Sequence, residues 1–399
     1  MPPSRRIAAL ASHLCPTPAA AAPEEPAAAP AERTDPAPGA PFPFVRLRGG
    51  SAREIGLAHG RQLAKRVRGN VEWYTNMFQT THGYTEAQLR SIAGGFETAI
   101  RAFSSDYADE IAAIAEGAGV ERWQTFILNA RTEIMQAAAM GRPAEGPTEC
   151  TALYSESHSV LAQNWDWDRE AESLTVLLES ERTDTGRKIL QICEPGILGK
   201  AGLNDDGVGV TLNILGTKEL HGDAHAGVPV HVLLRAVLDC SSVEEAIATV
   251  EQAPKHYGCQ SCFIIGGPQQ DYAILELNGE ETDTARQCVP PVHTNHYCGL
   301  GGTGVVSDAS KRSSTTARYD RACALVEASA NDLDVDATKS VLLDNADSDW
   351  PVKVPWGPAS FAGMRVGTVT SIVMDLPARV MHVTPGGPYD HDFVELALV

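Results

Sequence analysis

The sequence places one cysteine where polar neighbours could hold a reactive thiol. Cys150 follows a glycine- and proline-rich stretch and opens the first of a series of short β-type segments. Gln163, Asn164 and Asp166 follow on the predicted partner strand of a hairpin, so that donors and acceptors can surround the thiol. Buried free cysteines are commonly inert, and the spacing alone therefore favours a structural thiol over a nucleophile.

Three other patterns are weaker candidates for chemistry. Residues 299–304 match G-x-G-x-x-G, but no helix follows immediately, as a dinucleotide site requires. Cys259 and Cys262 form a C-x-x-C pair, yet no second pair stands at zinc-finger spacing. We interpret His221, His225 and His231 as solvent-exposed residues or as core residues with hydrogen-bonded rings, and not as metal ligands. We therefore expect no metal and no cofactor.

Composition excludes several classes of function. The chain has 399 residues, 43% of them hydrophobic, which is enough for a large core. Its net charge of −19 argues against nucleic-acid binding, which needs clustered lysine and arginine. No apolar run reaches the length of a membrane span, so no membrane partner is expected.

Cysteine usage and the N-terminus bear on the compartment. Nine cysteines, an odd number spread over the chain, do not resemble a disulfide framework and favour a reducing, cytoplasmic compartment. Arg5 and Arg6 precede a short apolar run at 7–11 that imitates the start of a secretion signal, so secretion remains the alternative.

The sequence divides into three segments. Residues 1–43 are rich in alanine and proline and are predicted to be a disordered tail. Residues 44–149 show helical periodicity, and residues 150–399 contain short strands in blocks with helices in blocks. This order favours layered α+β packing over a βαβ wind.

Local signals predict individual boundaries. Ser51 and Glu54 form a capping box, in which Glu54 returns to the cap amide. A helix beginning near Asp106 is predicted to end at Gly117, and another covers roughly 121–138. The chain is predicted to close with a hairpin over 368–383.

A series of motifs in one order resembles a known family. They are Glu54-Ile55-Gly56-Leu57-Ala58-His59-Gly60, Leu128-Asn129-Ala130-Arg131-Thr132-Glu133, Cys150-Thr151, Gln163-Asn164-Trp165-Asp166, the segment 194–204 (EPGILGKAGLN), His293-Thr294-Asn295-His296 and Arg365. Together they resemble the isopenicillin-N acyltransferase family of autoproteolytic cysteine N-terminal-nucleophile (Ntn) hydrolases. The resemblance covers roughly residues 46–390.

The resemblance implies a fold and a set of site residues. The fold would be a four-layer αββα sandwich, made as a precursor and cut between Glu149 and Cys150. Cys150 would be the nucleophile and, through its freed α-amine, the base. Asn295 would donate to the oxyanion, and Asp166 would orient the amine. Arg365 would hold local charge and position Asp166 or the substrate.

The implied reaction is hydrolysis or transfer of an N-acyl group through a thioester on Cys150. The substrate would be a small-molecule N-acyl amide, with an acyl-CoA donor as an option for transfer. The helical segment 44–149 would stay bound to the chain that starts at Cys150, as a heterodimer. Two alternatives stay open: a strict hydrolase of an amino-acid-conjugated or peptide-like amide, and an uncleaved relative that only binds acyl amides.

Overall fold

A computed structural model gives the protein's structure. It describes residues 41–139, 150–215, 227–253, 260–278, 282–284, 289–299, 314–347, 349–357 and 364–398. The predicted tail lies outside this part except for residues 41–43, where Phe42 N donates to Pro385 O at 2.8 Å. The described chain therefore begins at residue 41, inside the segment predicted as the tail. Within the described ranges, every helix is too short or too polar to cross a membrane.

Helices dominate the described chain before Cys150, and strands in blocks with helices in blocks follow it. The helices are α1 (Ala52–Gln62), α2 (Ala64–Thr80), α3 (Glu86–Phe103), α4 (Ser105–Ala118), α5 (Arg122–Asn129), α6 (Arg131–Ala139), α7 (Glu170–Leu174), α8 (Val230–Leu238), α9 (Val243–Gln252), α10 (Ser314–Ala328) and α11 (Val335–Leu342). The strands are β1 (Phe44–Gly49), β2 (Cys150–Ser155), β3 (Val160–Asp168), β4 (Val176–Arg182), β5 (Lys188–Cys193), β6 (Gly202–Asn204), β7 (Gly209–Ile214), β8 (Ser261–Gly266), β9 (Tyr272–Leu277), β10 (Thr282–Thr284), β11 (Val292–His293), β12 (Val366–Asp375), β13 (Val380–Val383) and β14 (Val394–Ala397).

Two sheets pack face to face between helical layers. The larger has the strand order β1-β4-β5-β6-β7-β8-β9-β10 and the smaller β11-β2-β3-β12-β13-β14. Strands β2 and β3 contact β7 and β8 across the interface between the sheets. Helices α8 and α9 pack on the larger sheet, and α10 and α11 pack on the smaller one. The expected α+β class with αββα layers is confirmed.

The two-residue period of β2 assigns its side chains to opposite faces. Cys150, Ala152 and Tyr154 belong to the large apolar cluster, which also contains Leu212 of the larger sheet. Leu153, between them in sequence, belongs to a second cluster beneath α10 and α11. Cys150, as the first residue of β2, therefore directs its side chain into the interior between the sheets.

The segment before Cys150 is not purely helical. Strand β1 pairs in parallel with β4 along its whole length, from Phe44 opposite Leu177 to Gly49 opposite Arg182. The segments predicted as 44–149 and 150–399 thus share a sheet, and they lie in the same compact unit, Glu32–Val399. Sequence periodicity missed β1 because a lone edge strand gains its partner only from a distant part of the chain.

Three local predictions need correction. Glu54 Oε2 accepts from Gly50 N at 2.6 Å instead of from the cap amide, although Ser51 Oγ does cap the Glu54 amide. Helix α4 continues past Gly117 to a left-handed C-cap at Gly119, with φ of 70°. The helix predicted over 121–138 is divided into α5 and α6 at Ala130.

Gly117 has a different role, in the contact between α1 and α4. A Cβ on Gly117 would lie 2.7 Å from Leu57 O, and one on Gly60 would lie 2.3 Å from Ile114 O. The glycines therefore allow the two helix backbones to touch. The glycine that ends the EIGLAHG motif is needed for packing in this structure.

We expect Gly60→Ala to destabilise the protein by about 1–3 kcal/mol, because the added methyl group overpacks the α1–α4 contact. Gly94→Ala is the matched control: Gly94 lies in α3, and a Cβ added there would meet no neighbouring atom within 4 Å. That change should stabilise the helix by about 0.5–1 kcal/mol. Urea unfolding of both variants measures the difference, and equal effects would show that the α1–α4 contact accommodates a side chain.

Candidate active site

The main chain of Cys150 is held on both sides by side chains from distant elements. Its N–H donates to Asn295 Oδ1 at 2.9 Å. Its carbonyl oxygen accepts from Arg318 at 2.8 Å and from Asn213 Nδ2 at 3.1 Å. Arg318 lies on α10 and Asn213 on β7, so both sheets and one helical layer fix this residue.

The orientation of the Asn295 amide follows from its neighbours. Arg318 donates to Asn295 Oδ1 at 2.8 Å, and a guanidinium can only donate. The oxygen must therefore face Arg318 and Cys150 N, which places the amide nitrogen opposite, where it donates to Ile214 O at 2.8 Å. Asn295 also lines the cavity beside Cys150.

Ionisation of the Cys150 thiol is strongly disfavoured in the uncut chain. Burial, and then the charge of Asp166, raise the pKa of the Cys150 thiol to about 12. A hydrogen bond from the Asp166 backbone and the positive charges of Arg318 and Lys200 act in the opposite direction. Near pH 7 the sulfur is protonated, and any nucleophilic role requires a base.

A small cavity of about 30 Å³ lies beside Cys150. Apolar side chains from both sheets line the cavity together with neutral polar and charged side chains. The lining residues are Trp165, Trp167, Ile192, Ala201, Leu212, Ile214, Arg131, Thr132, Gln163, Asp166, Lys200 and Asn295. Pockets that enclose small organic ligands measure about 300–1,000 Å³. The cavity beside Cys150 is smaller than such pockets.

One buried carboxylate organises the charged wall of the cavity. Glu194, with no exposed surface, accepts from Arg131 at 2.6 Å and from Lys200 Nζ, while Tyr74 OH donates to its other oxygen at 2.6 Å. Despite burial, Arg131 and Lys200 hold the pKa of Glu194 well below its usual range. Lys200 Nζ also lies 3.1 Å from the centroid of the Trp165 ring.

The structure brings three of the four predicted catalytic residues together. Cys150, Asp166 and Asn295 line one cavity, and Asp166 Oδ1 accepts from Thr368 Oγ1 at 2.6 Å. Arg365 is exposed, its carbonyl accepts from Arg169 N at 3.0 Å, and its charge acts on Asp168. The other predicted cleavage-site residue, at position 149, lies outside the described residues.

Two charged residues of the site were missed from the sequence. Lys200 was visible as part of the motif at 194–204, but nothing in that pattern distinguishes a cavity lysine from a surface one. Arg318 carries no sequence signal, because α10 lies more than 150 residues after β2 and this arginine is one of two in the helix. Arg318 contacts Cys150 and Asn295 directly, and the role implied for Arg365 stays a prediction.

Two polar residues of the β2–β3 hairpin serve structural contacts. Gln163 bridges the sheets, donating to Leu212 O and accepting from Leu212 N. Asn164 Nδ2 donates to Leu342 O at 2.8 Å and to Val352 O at 3.0 Å. Neither residue contacts Cys150 through these bonds, but both fix the strand that carries Asp166.

Three side chains have the composition of a metal site: Glu276, His293 and Cys298. However, His293 Nε2 lies 2.7 Å from Glu276 Oε1, and the same carboxylate accepts from the amides of Cys298 and Gly299. Ligands of one tetrahedral zinc ion stand about 3.3 Å apart, given metal–ligand bonds near 2.0 Å. The cluster is better described as a hydrogen-bonded ion pair that anchors the chain on both sides of Asn295.

The weaker sequence candidates do not gather into a second site within the described residues. His231 is buried in α8, with Nδ1 at 2.9 Å from Gly199 O and Nε2 at 3.3 Å from Thr132 Oγ1. Cys262 is buried in β8, and its C-x-x-C partner lies outside the described residues. Most of the G-x-G-x-x-G pattern, from residue 300 onward, also lies outside them.

Three solved structures are among those similar to this chain. A conjugated bile acid hydrolase from Clostridium perfringens has a TM-score of 0.43 and 13% identity, covering 63% of this chain and 92% of its own. Penicillin V acylase from Agrobacterium tumefaciens has a TM-score of 0.39 and 13% identity, covering 63% and 86%. A Caenorhabditis elegans N-acylethanolamine-hydrolyzing acid amidase ortholog has 0.39 and 11%, covering 63% and 100%.

Sequence comparison finds a matching family model and a curated relative. Residues 154–344 match the family model of acyl-coenzyme A:6-aminopenicillanic acid acyl-transferase. The 40 kDa form of the acyl-coenzyme A:6-aminopenicillanic-acid-acyltransferase of Emericella nidulans is 27% identical over 252 residues, which are 62% of this chain and 67% of the relative. The resemblance indicated by the motifs is confirmed: the chain is similar to the acyl-coenzyme A:6-aminopenicillanic acid acyl-transferase family model and to this curated acyltransferase.

Proposed function

We propose that the protein is an autoproteolytic acyltransferase or amide hydrolase that works through a thioester on Cys150. The observation that carries the proposal is the environment of this residue. Its thiol faces a cavity between the sheets, Asn295 Oδ1 accepts from its nitrogen, and Arg318 and Asn213 hold its carbonyl. The family relationship supports acyl transfer as the class of reaction.

The mature site would use the α-amine of Cys150 as its base. An α-amine titrates near 7.7–8.0 and accepts a proton at neutral pH, which the peptide nitrogen of an uncut chain does not do. In the cut chain, the amine takes the thiol proton and the thiolate attacks the carbonyl of an N-acyl amide. Asn295 donates its second amide hydrogen to the oxyanion. Collapse forms the thioester and releases the amine, which leaves with the proton.

The second half-reaction decides between hydrolysis and transfer. Water attacking the thioester gives a carboxylic acid, whereas a second amine gives a new amide. An acyl-CoA could load Cys150 in the same way, with the CoA thiol as the leaving group. The substrate would be a small-molecule N-acyl amide, whose polar and apolar parts match the mixed polar and apolar residues that line the cavity.

Self-cleavage between residue 149 and Cys150 would create two chains that stay together as a heterodimer. Strand β1 would remain paired with β4 of the second chain. Arg131 would remain bonded to Glu194 in a site without solvent exposure of the carboxylate. Removing one partner from such a buried pair costs about 3–5 kcal/mol, which favours retention of the first chain.

We expect Cys150→Ala to remain uncut and inactive, because one substitution removes the nucleophile of both cleavage and turnover. Cys150→Ser keeps a weaker nucleophile and should cleave slowly with poor turnover. Intact-mass measurement of the purified protein tests this, since the wild type should contain a chain that starts at Cys150. A homogeneous wild-type product of 399 residues with full activity would sink the proposal.

The role of Asn295 can be separated from its structural contacts. Asn295→Asp keeps the oxygen that accepts from Cys150 N but loses the amide hydrogens, and Asn295→Ala loses both. Each should lower kcat by about 10²–10³, as for other lost oxyanion donors. Steady-state kinetics on a working amide measure the effect, with an unchanged far-UV spectrum as the control for folding. An unaltered kcat would leave Asn295 with a purely structural role.

A paired experiment decides which arginine serves the site. Arg318→Met should lower kcat tenfold or more, equivalent to about 1.4 kcal/mol. The substitution removes the hydrogen bonds that Arg318 donates to the Asn295 side chain and to the Cys150 carbonyl. Arg365→Met tests the role implied by the family resemblance from an exposed position. Comparison of kcat at matched folding discriminates: a larger fall for Arg365→Met than for Arg318→Met would favour Arg365 as the arginine of the site.

A further inference from the structure

The proposed self-cleavage needs a base that the uncut chain does not have at Cys150 itself. In the uncut chain the nitrogen of Cys150 is a peptide amide, which donates to Asn295 Oδ1 and has no basic lone pair. The thiol has a pKa of about 12, raised by burial and then by Asp166. The α-amine that would serve turnover exists only after cleavage. Another group must therefore take the first proton.

We propose that Lys200 takes the Cys150 proton during self-cleavage and thereby acts as the base of the processing step. This inference rests on the proposed function. Lys200 and Cys150 line the same cavity. Lys200 Nζ lies 3.1 Å from the centroid of the Trp165 ring, and Trp165 is the strand partner directly opposite Cys150.

The charge balance around Glu194 shows which cation can release its proton. One carboxylate lies between two cations, Arg131 and Lys200. The guanidinium of Arg131 does not deprotonate in proteins, whereas a buried lysine does so readily. When Lys200 is neutral, Glu194 keeps its bonds to Arg131 and to Tyr74 OH, so the carboxylate remains paired.

Burial also supports Lys200 as the base of self-cleavage. It lowers the pKa of Lys200 to about 7; Glu194 and Cys150 oppose this effect, and Arg131 adds to it. An amine with this pKa is partly neutral at physiological pH and can both accept and return a proton.

The other titratable groups around Lys200 are less suited to accept the Cys150 proton. Asp166 offers a carboxylate, which is a weaker base than an amine and already accepts from Thr368 Oγ1. His231 contacts Gly199 O and Thr132 Oγ1 through its two nitrogens. Glu133 is buried, and its Oε1 accepts from Val230 N at 2.7 Å at the start of α8.

The step balances without an external reagent other than water. Lys200 Nζ takes the proton of Cys150 Sγ, and the sulfur forms a bond to the carbonyl carbon of the preceding residue. The bond from that carbon to Cys150 N breaks, and the nitrogen takes the proton back from Lys200 as it leaves as an amine. Water then hydrolyses the thioester, releasing a carboxylate on the first chain and a thiol on the second. From that point the α-amine replaces Lys200 as the base.

Lys200→Arg tests the proposal directly, because arginine keeps the positive charge beside Glu194 and does not release its proton. The full-length chain is made by cell-free translation, and the appearance of the two fragments is followed over time by gel electrophoresis and intact mass. Cleavage by the variant should be about 10²–10⁴ times slower than in the wild type, the usual contribution of a general base. Lys339→Arg, at an exposed ion pair with Asp336, is the matched control and should cleave at the wild-type rate.

Two further measurements separate a proton acceptor from a structural lysine. The wild-type cleavage rate should rise with pH and level off above the pKa of Lys200, near pH 7, because only the neutral amine accepts a proton. The residual rate of Lys200→Arg should lack this inflection. Variant protein that has cut after long incubation should show a kcat much closer to that of the wild type than its cleavage rate does, since the α-amine then serves as the base.

The outcomes distinguish this inference from the proposed function. A wild-type chain that never cuts overturns both. A wild type that cuts, together with Lys200→Arg cutting equally fast or a pH-independent wild-type rate, overturns only the role of Lys200. An equal fall in cleavage rate and in kcat of the cut variant also overturns it, because Lys200 would then serve both states alike.

Discussion

The buried charge of Glu194 is the constraint on which the cavity depends. An unpaired carboxylate in the interior costs several kcal/mol, so its partners have little freedom in where they lie. Arg131 comes from α6, Tyr74 from α2 and Lys200 from the turn after β5. Because these partners belong to both of the proposed chains, the pairing that satisfies Glu194 also joins the helical segment to the sheets and holds Lys200 at the cavity.

The backbone next to Glu194 is held just as firmly by the helices. Asn70 donates to Pro195 O, His59 accepts from Gly196 N, and Asn129 contacts the segment at Gly196 and Leu198. Burial lowers the pKa of His59 to about 4, so its ring is neutral and can accept this bond at neutral pH. The motifs around His59 and Asn129 therefore act on the active site indirectly, by shaping the turn that presents Lys200.

The sequence predicted what depends on local pattern and on motif order. The strands, the closing hairpin and the position of Cys150 at a strand start follow from alternation and turn residues, and the motifs indicated the family and the layered fold. Strand β1 and Arg318 could not be predicted, because their meaning comes from partners far away in the chain: β4 for the strand, and Cys150 and Asn295 for the arginine. Gly117 was misassigned as a helix end because a glycine that permits helix contact has the same local signature as one that stops a helix.

The contacts of Cys150 are compatible with both states of the proposed reaction cycle. Asn295 Oδ1 accepts from the nitrogen of Cys150 as a peptide amide, and it can accept equally from an amine at the same position. Arg318 keeps this oxygen in place by donating to it, and at the same time holds the Cys150 carbonyl and Thr151 Oγ1. The hydrogen-bonding frame therefore does not need to be rebuilt when the peptide bond is cut. What changes is the basicity of the Cys150 nitrogen. Lys200 would act as the base before cleavage, and the α-amine of Cys150 would act as the base afterwards.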